Sequence, residues 1–237
     1  MADSIPKTIG VLGGMSWEST QVYYQQLNQL INQQLGGLHS ARMVLINVDF
    51  APIEALMASG NWSAIGDHLA KLSQQIEQAG AEFLLIATNT MHKLADQIQR
   101  SIDIPVLHIA DAVAAELHLQ GHDHVGLLGT AFTMEQDFYS GHLKQHHHIE
   151  VITPVQTDRD RVHEIIFNEL CHGQLLDTSR ADYLRIIDSL QHEGAQAIIL
   201  GCTEIGLLVQ QQHTQVPLID ASKAHIDAAV KLALKTA

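Results

Sequence analysis

The sequence predicts an α/β protein built from two similar domains with parallel sheets. Short apolar runs alternate with amphipathic stretches along the 237 residues, which is the pattern of strands covered by helices on both faces. A long stretch also recurs. Ala79-Gly80-Ala81-Glu82-Phe83-Leu84-Leu85-Ile86 lies over Glu193-Gly194-Ala195-Gln196-Ala197-Ile198-Ile199-Leu200, an offset of 194 − 80 = 114 that continues to Thr88 and Cys202, 202 − 88 = 114. Two further matches keep the same order at nearly the same spacing. The run from Ile9 to Gly14 resembles that from Val125 to Thr130 (126 − 10 = 116), and Ile104-Pro105-Val106-Leu107 resembles Val216-Pro217-Leu218-Ile219 (217 − 105 = 112). A repeat of this length is a domain-sized unit, not a solenoid repeat of about 20–50 residues.

The elements follow in order. Thr8 to Leu12 reads as a buried strand, and Ser16 to Asn32 has helical periodicity. Met43 to Val48 is a strand and Trp62 to Gln78 a helix. Phe83 to Ala87 is a strand, Met91 to Arg100 a helix, and Val106 to Ile109 a strand. The second half repeats the pattern, with strands at Val125 to Leu128, Val151 to Thr153, Ala197 to Leu200 and Leu218 to Ile219. Its helices are predicted at Glu135 to Lys144, Arg159 to Leu170, Arg180 to His192 and Ile205 to Gln211. No Pro/Ser-rich linker separates the halves.

Composition narrows the function. Hydrophobic residues make up 46% of the chain and charged residues 16%, with a formal net charge of −13. Such a chain repels phosphate backbones, which argues against a nucleic-acid partner. The start, Met1 to Lys7, lacks a basic segment followed by an apolar run, so no signal peptide is expected. The apolar runs are too short to span a bilayer, so no membrane partner is expected and a cytoplasmic location is. Cys171 and Cys202 are then expected to be free thiols. Among the 16 histidines, His146-His147-His148 are expected in a solvated loop and His122 and His124 in a turn; no metal site is assigned to either group.

Sites in open parallel sheets lie at the carboxyl ends of strands, and the polar residues cluster there. Gly13-Gly14-Met15-Ser16 follows the first strand. Its glycines let the backbone approach a ligand, and N–H groups at a helix start attract a carboxylate or phosphate. The spacing fits neither a dinucleotide fingerprint nor a P-loop. Thr88-Asn89-Thr90 and Thr130 with Thr133 offer hydroxyls and an amide that also suit helix caps. Cys202 closes an apolar strand, with Thr203 and Glu204 in the expected first turn of a helix, a position that lowers a thiol's pKa. Cys171, within a helical stretch and without a symmetric mate, reads as structural. Arg42, Lys93, Arg159 and Arg161 are the few cations near these motifs. A pseudo-twofold between the domains would bring Thr88 and Cys202 to face each other across a cleft.

At these residues the chain resembles the aspartate/glutamate racemase family, enzymes that need no pyridoxal phosphate. The resemblance rests on the run from Ile9 to Ser16, Thr88-Asn89-Thr90-Met91-His92, the run from Leu128 to Tyr139, and Gly201-Cys202-Thr203-Glu204-Ile205. It implies two flavodoxin-like domains, an active site in the cleft between them, no cofactor and a homodimer. It also implies that the C-terminal segment returns to the first domain, giving 1–104 plus 209–237 for the first and 105–208 for the second. Carried over by position, Cys202 is one of the family's two catalytic thiols, and Thr88 stands where the other would be, as in a threonine-bearing subset described as L-aspartate/glutamate-specific or broad-specificity. Substrate binding then falls to Gly14, Met15, Ser16, Asn89, Thr90, Thr130, Thr133, Thr203 and Glu204. The arginine that archaeal relatives carry past the second strand is missing from the run Asp49 to Met57, so Arg161 is the candidate replacement, and the apolar Met57 would suit a hydrophobic amino acid. The leading expectation is a racemase acting on aspartate or glutamate. The alternatives are a broad-specificity racemase, a one-cysteine malonate-type decarboxylase, or a dicarboxylate binder without turnover.

Overall fold

The computed structural model describes residues 5–235, so the expectation for the start of the chain lies outside the described residues where it concerns Met1 to Ser4. The chain divides into two compact units, Met1–His108 with His225–Ala237, and Ile109–Ala224. Among the described residues no helix is long and apolar enough to cross a membrane.

The first unit contains β1 (Ile9–Gly13), α1 (Trp17–Leu35), β2 (Met43–Asn47), α2 (Phe50–Ala58), α3 (Trp62–Gln78), β3 (Phe83–Ile86) and α4 (Ala95–Gln99), with a 3-10 turn at Thr90–Leu94. Its three strands are all parallel in the order β2-β1-β3. The second unit contains α5 (Ile109–Gln120), β4 (His124–Leu128), α6 (Ala131–Glu135), α7 (Asp137–His147), β5 (Glu150–Ile152), α8 (Gln156–Asn168), α9 (Asp177–His192), β6 (Ala197–Leu200), α10 (Ile205–Leu208) and β7 (Leu218–Asp220). Its parallel sheet has the order β5-β4-β6-β7. The last helix, α11 (Ala221–Leu234), begins in the second unit and ends in the first.

The repeat seen in the sequence is a repeat of pairings. Ile9 pairs with Phe83 and Val125 with Ala197, at offsets of 125 − 9 = 116 and 197 − 83 = 114. Ala87 N–H donates to Leu12 O at 2.9 Å, and Gly201 N–H donates to Leu128 O at 2.7 Å. The same bond therefore closes the equivalent strand tip in each unit.

Each core follows from side-chain period. In α1, Tyr23, Leu27 and Ile31 share one face and pack with Ile9, Val11, Phe83 and Leu85. Ile226, Ala229, Val230 and Ala233 of α11 join the same cluster. In the second unit β6 alternates: Ala197 and Ile199 face the cluster of α5 and α7, while Ile198 and Leu200 face that of α8 and α9. Each large buried side chain contributes roughly 1.5–3 kcal/mol of transfer free energy.

Several expectations are corrected. Val106 to Ile109 is not a strand. Val106 makes one parallel bridge to Leu84, and Ile109 already starts α5. Pro105 has no N–H to extend a ladder beyond that bridge. The chain returns to the first unit at His225 rather than 209, because β7 hydrogen-bonds to β6 and so belongs to the second sheet. Met91 to Arg100 splits into the 3-10 turn and α4, and Ile205 to Gln211 shortens to α10 with a 3-10 turn at Gln211–His213. The histidine run is not a loop. His146 and His147 form the last turn of α7, and His148 caps it with φ 57°. Asp111 Oδ1 accepts from Nε2–H of His142 at 2.6 Å and of His147 at 2.7 Å, which ties α7 to α5.

Candidate active site

In the first unit the polar tips of β1 and β3 lie side by side. Gly14 has φ +92°, and a Cβ there would fall under 3.0 Å from the backbone of Val48, so only glycine fits. Its N–H donates to Thr20 Oγ1 at 2.7 Å, and Thr20 Oγ1–H donates to Ser16 O at 2.9 Å. The Gly14 amide is thus already engaged and is not the open anion donor the sequence suggests. Ser16 caps α1, its Oγ accepting from Ser19 N–H at 3.1 Å, and Met15 is buried.

Past β3, Thr88 is half-buried in an otherwise buried run from Phe83 to His92 that has Glu82 before it. Ser19 Oγ–H donates to Ala87 O at 3.2 Å, and His92 Nδ1–H donates to Thr88 O at 2.9 Å. These two bonds fix the backbone on either side of the Thr88 hydroxyl. Asn89 is 5% exposed, and its Oδ1 has no hydrogen-bond partner among the described residues. A buried acceptor left unmet costs about 1–3 kcal/mol, which makes this oxygen a candidate acceptor for a ligand's donor. Thr90 beside it is buried as well.

In the second unit the tips of β4 and β6 are equally close. A Cβ on Gly129 would meet Gly201 O at 3.2 Å, and a Cβ on Gly201 would meet Leu128 O at 3.0 Å and Thr133 Cγ2 at 3.5 Å. Thr130 is buried at the start of α6, and its Oγ1 bonds Thr133 Oγ1 at 3.2 Å. Thr203 Oγ1 bonds Ser222 Oγ at 2.9 Å. Ser222 escaped the sequence reading, although it follows β7 at the same carboxyl edge that marked the other candidates.

Cys202 is a half-buried free thiol. Its Sγ–H donates to Glu204 Oε2 at 2.8 Å, and Glu204 is 7% exposed. The expected low pKa is reversed. Burial pushes the Cys202 thiol well up, and the charge and hydrogen bond of Glu204 and the neighbouring Cys171 add to the rise. The physical reason is local. Only four residues of helix follow, in α10, so little dipole opposes the loss of solvent. Tyr183, from α9, is pushed up by burial and next by the charge of Cys202. Cys171 shares the core cluster against which Cys202 packs.

The cations are engaged elsewhere. Arg161 Nε–H donates to Asp182 Oδ2 at 2.8 Å, its Nη atoms lie 3.8 and 3.9 Å from Glu164 and Glu169, and the side chain is 37% exposed. Arg159 pairs with Glu135, Arg42 donates to Pro6 O, and Lys93 Nζ sits 4.1 Å over the Trp62 ring. Met57 is buried.

Each unit therefore carries, at equivalent strand tips, a short polar set: Thr88, Asn89 and Thr90 in one, Cys202, Thr203 and Glu204 in the other. A duplicated parallel α/β fold with one thiol in these two sets defines the class, that of two-unit α/β proteins with polar sets at equivalent strand tips. The chain belongs to the Asp/Glu/Hydantoin racemase family, whose sequence pattern matches residues 12–229. A candidate Asp/Glu racemase of Yersinia pestis with a known crystal structure is 50% identical, at a TM-score of 0.92, over 97% of this chain and 100% of that one. An aspartate racemase homologue from Pyrococcus horikoshii is 31% identical, at a TM-score of 0.85, over 97% of this chain and 100% of that one. The broad specificity amino-acid racemase RacX of Bacillus subtilis is 25% identical over 90% of this chain and 92% of its own. The named racemases among these relatives are isomerases.

Proposed function

We propose that the protein is a cofactor-independent racemase of aspartate or glutamate that works by moving the α-proton. Cys202 is the thiol acid/base, and Thr88 is the weaker second group, acting directly or through water. A threonine hydroxyl is a far poorer base than a thiol sulfur, so turnover should be faster in one direction of proton transfer. The observation that carries an amino-acid substrate is the unpartnered Asn89 Oδ1. It is buried beside Thr88 and needs a donor, which an α-ammonium group supplies. Thr90, Thr130 and Thr203 provide hydroxyls for the carboxylates, and no arginine is required, in keeping with the engagement of Arg161 by Asp182.

The test is proton NMR of the L and D forms of aspartate and glutamate in D₂O, with the purified protein and with Cys202→Ser. Loss of the α-proton signal that depends on Cys202 supports the reading. Full exchange in Cys202→Ser sinks the thiol mechanism. Absence of exchange with all four substrates, followed by exchange with apolar amino acids, would shift the substrate toward the broad-specificity class. Thr88→Cys should raise the slower direction of turnover. Assembly as a homodimer is a further expectation, read by light scattering on the eluting protein.

A further inference from the structure

We propose that Asp111, His142 and His147 form a binding site for a divalent transition-metal ion of the zinc class, between α5 and α7 of the second unit. The site is independent of the proposed α-proton chemistry. Asp111 Oδ1 accepts from Nε2–H of both imidazoles, at 2.6 and 2.7 Å. Neutral N–H···O bonds cluster at about 2.9–3.0 Å, so the three ligand atoms are drawn closer than ordinary hydrogen bonding requires. Two histidines and one carboxylate converging on one point are a recurring donor set for zinc and its neighbours. Asp111 and His142 also belong to the group of side chains, among the described residues, whose ligand atoms lie within 4.8 Å of one another.

The local sequence hides this set. Asp111 stands in the first turn of α5, 31 residues before His142 and 36 before His147. The two histidines are five apart on α7, off the stripe that a spacing of three or four would give, and the carboxylate lies between them. Zinc bonds imidazole nitrogen and carboxylate oxygen at about 2.0–2.2 Å, which puts tetrahedral ligand atoms about 3.3 Å apart. Each Nε2 must therefore draw back from Oδ1 by about 0.6–0.7 Å, a shift that ring rotation can supply. Each ring then carries its proton on Nδ1 and turns the Nε2 lone pair to the metal, so two hydrogen bonds are exchanged for two metal bonds. The side chains of His142, His147 and Asp111 are 22%, 24% and 46% exposed, which leaves a path for the ion and room for a water as fourth ligand. The neighbouring His146 ring, 4.5 Å from that of His142, is exposed and makes no bond to Asp111, so it is not counted among the ligands. The imidazoles select against magnesium and calcium, which take oxygen ligands. His147 is the last residue of α7, and the carboxyl end of a helix favours positive charge. The chain's net charge of −13 acts in the same direction.

The test uses the full chain without a histidine tag, stripped with a chelator and dialysed. Zinc chloride is titrated by calorimetry, with magnesium chloride as the comparison. The site predicts one zinc ion per chain and no magnesium. It also predicts a rise of about 5 °C or more in the thermal unfolding midpoint at 100 times the zinc Kd. His142→Ala and His147→Ala should each weaken zinc binding at least about tenfold. Asp111→Asn keeps a hydrogen-bond acceptor for both rings but offers a poor ligand, so it should stay folded and lose zinc to the same degree. His39→Ala, which removes an exposed histidine of the first unit, should change nothing. Copper(II) bound in place of zinc should show two imidazole nitrogens by electron paramagnetic resonance, and one in either histidine variant. The site is overturned if no zinc binds, or if zinc binding survives Asp111→Asn, His142→Ala and His147→Ala. Equal weakening by His39→Ala, or several weak ions per chain, also overturns it, because either marks diffuse binding by surface histidines.

Discussion

Gly14→Ala should destabilise the first unit by more than its backbone conformation alone explains. Gly14 has φ +92°, and its missing Cβ would lie under 3.0 Å from the Val48 backbone. A side chain in the left-handed region costs roughly 1–2 kcal/mol. Making room must also strain two hydrogen bonds, Val48 N–H to Gly13 O at 3.0 Å and Gly14 N–H to Thr20 Oγ1 at 2.7 Å. At about 0.5–1.5 kcal/mol each, the total is about 2–5 kcal/mol. Gly60→Ala is the control, because φ there is +71° but nothing lies within 4 Å. It should cost only the conformational part. Urea unfolding followed by tryptophan fluorescence is suited to the comparison, since Trp17 and Trp62 are the only two tryptophans and both lie in the first unit. If Gly14→Ala proves no less stable than Gly60→Ala, the close approach to Val48 is not what fixes this glycine.

Three other outcomes follow from the same geometry. Asp111→Ala removes the shared acceptor of His142 and His147; with these side chains partly exposed, the loss should be about 1–2 kcal/mol in thermal unfolding, and an unchanged midpoint would show that the clamp carries no stability. Tyr139→Phe deletes a buried hydroxyl with no partner among the described residues, whose ionisation is pushed up by burial and then by Asp220. Stability should be unchanged or rise by up to about 1 kcal/mol, whereas a clear loss would mean that the hydroxyl holds an ordered water. Cys202 titrates higher folded than unfolded, so its linked stability is complete below about pH 8.5 and declines as the pH rises. Cys202→Ser should flatten that decline between about pH 8.5 and 10, below the tyrosine range; an identical slope in denaturant unfolding at those pH values would refute it.

The fold was legible where a pattern was long and periodic. Trp62–Gln78 and Ala197–Leu200 have the bounds the sequence suggests, because apolar period and bounding glycines agree there. The duplicated offset also located both candidate strand tips. What stayed hidden depended on partners distant in sequence. Val106 looks like a strand because it is apolar and follows Pro105, but strand length depends on a neighbouring ladder that local sequence does not display. The histidine run at 146–148 looks polar and loose, yet Asp111, 36 residues before His147, organises it. At the site, residue types could be read, but their states could not. The position of Cys202 before a helix suggested a low thiol pKa, whereas the real environment is set by a four-residue helix, a packed core and the Glu204 carboxylate. Likewise Arg161 looked available until Asp182 on the next helix was seen to hold it.

The path of α11 sets an order for synthesis. The core that Ile9, Tyr23 and Phe83 begin is filled by Ile226, Ala229, Val230 and Ala233. His225 is fully buried, accepting from Tyr23 O–H at 2.9 Å and donating to Leu107 O at 2.8 Å. Those residues follow the whole of the second unit along the chain. The second unit, Ile109–Ala224, is therefore the first whose residues have all been made, against the usual N-terminal-first sequence of events. Until α11 has been made, the part of the first unit that precedes Ile109 must wait with one apolar face uncovered, exposed to chaperones and to misassembly, and a stop codon after Ala224 would leave it in that condition permanently.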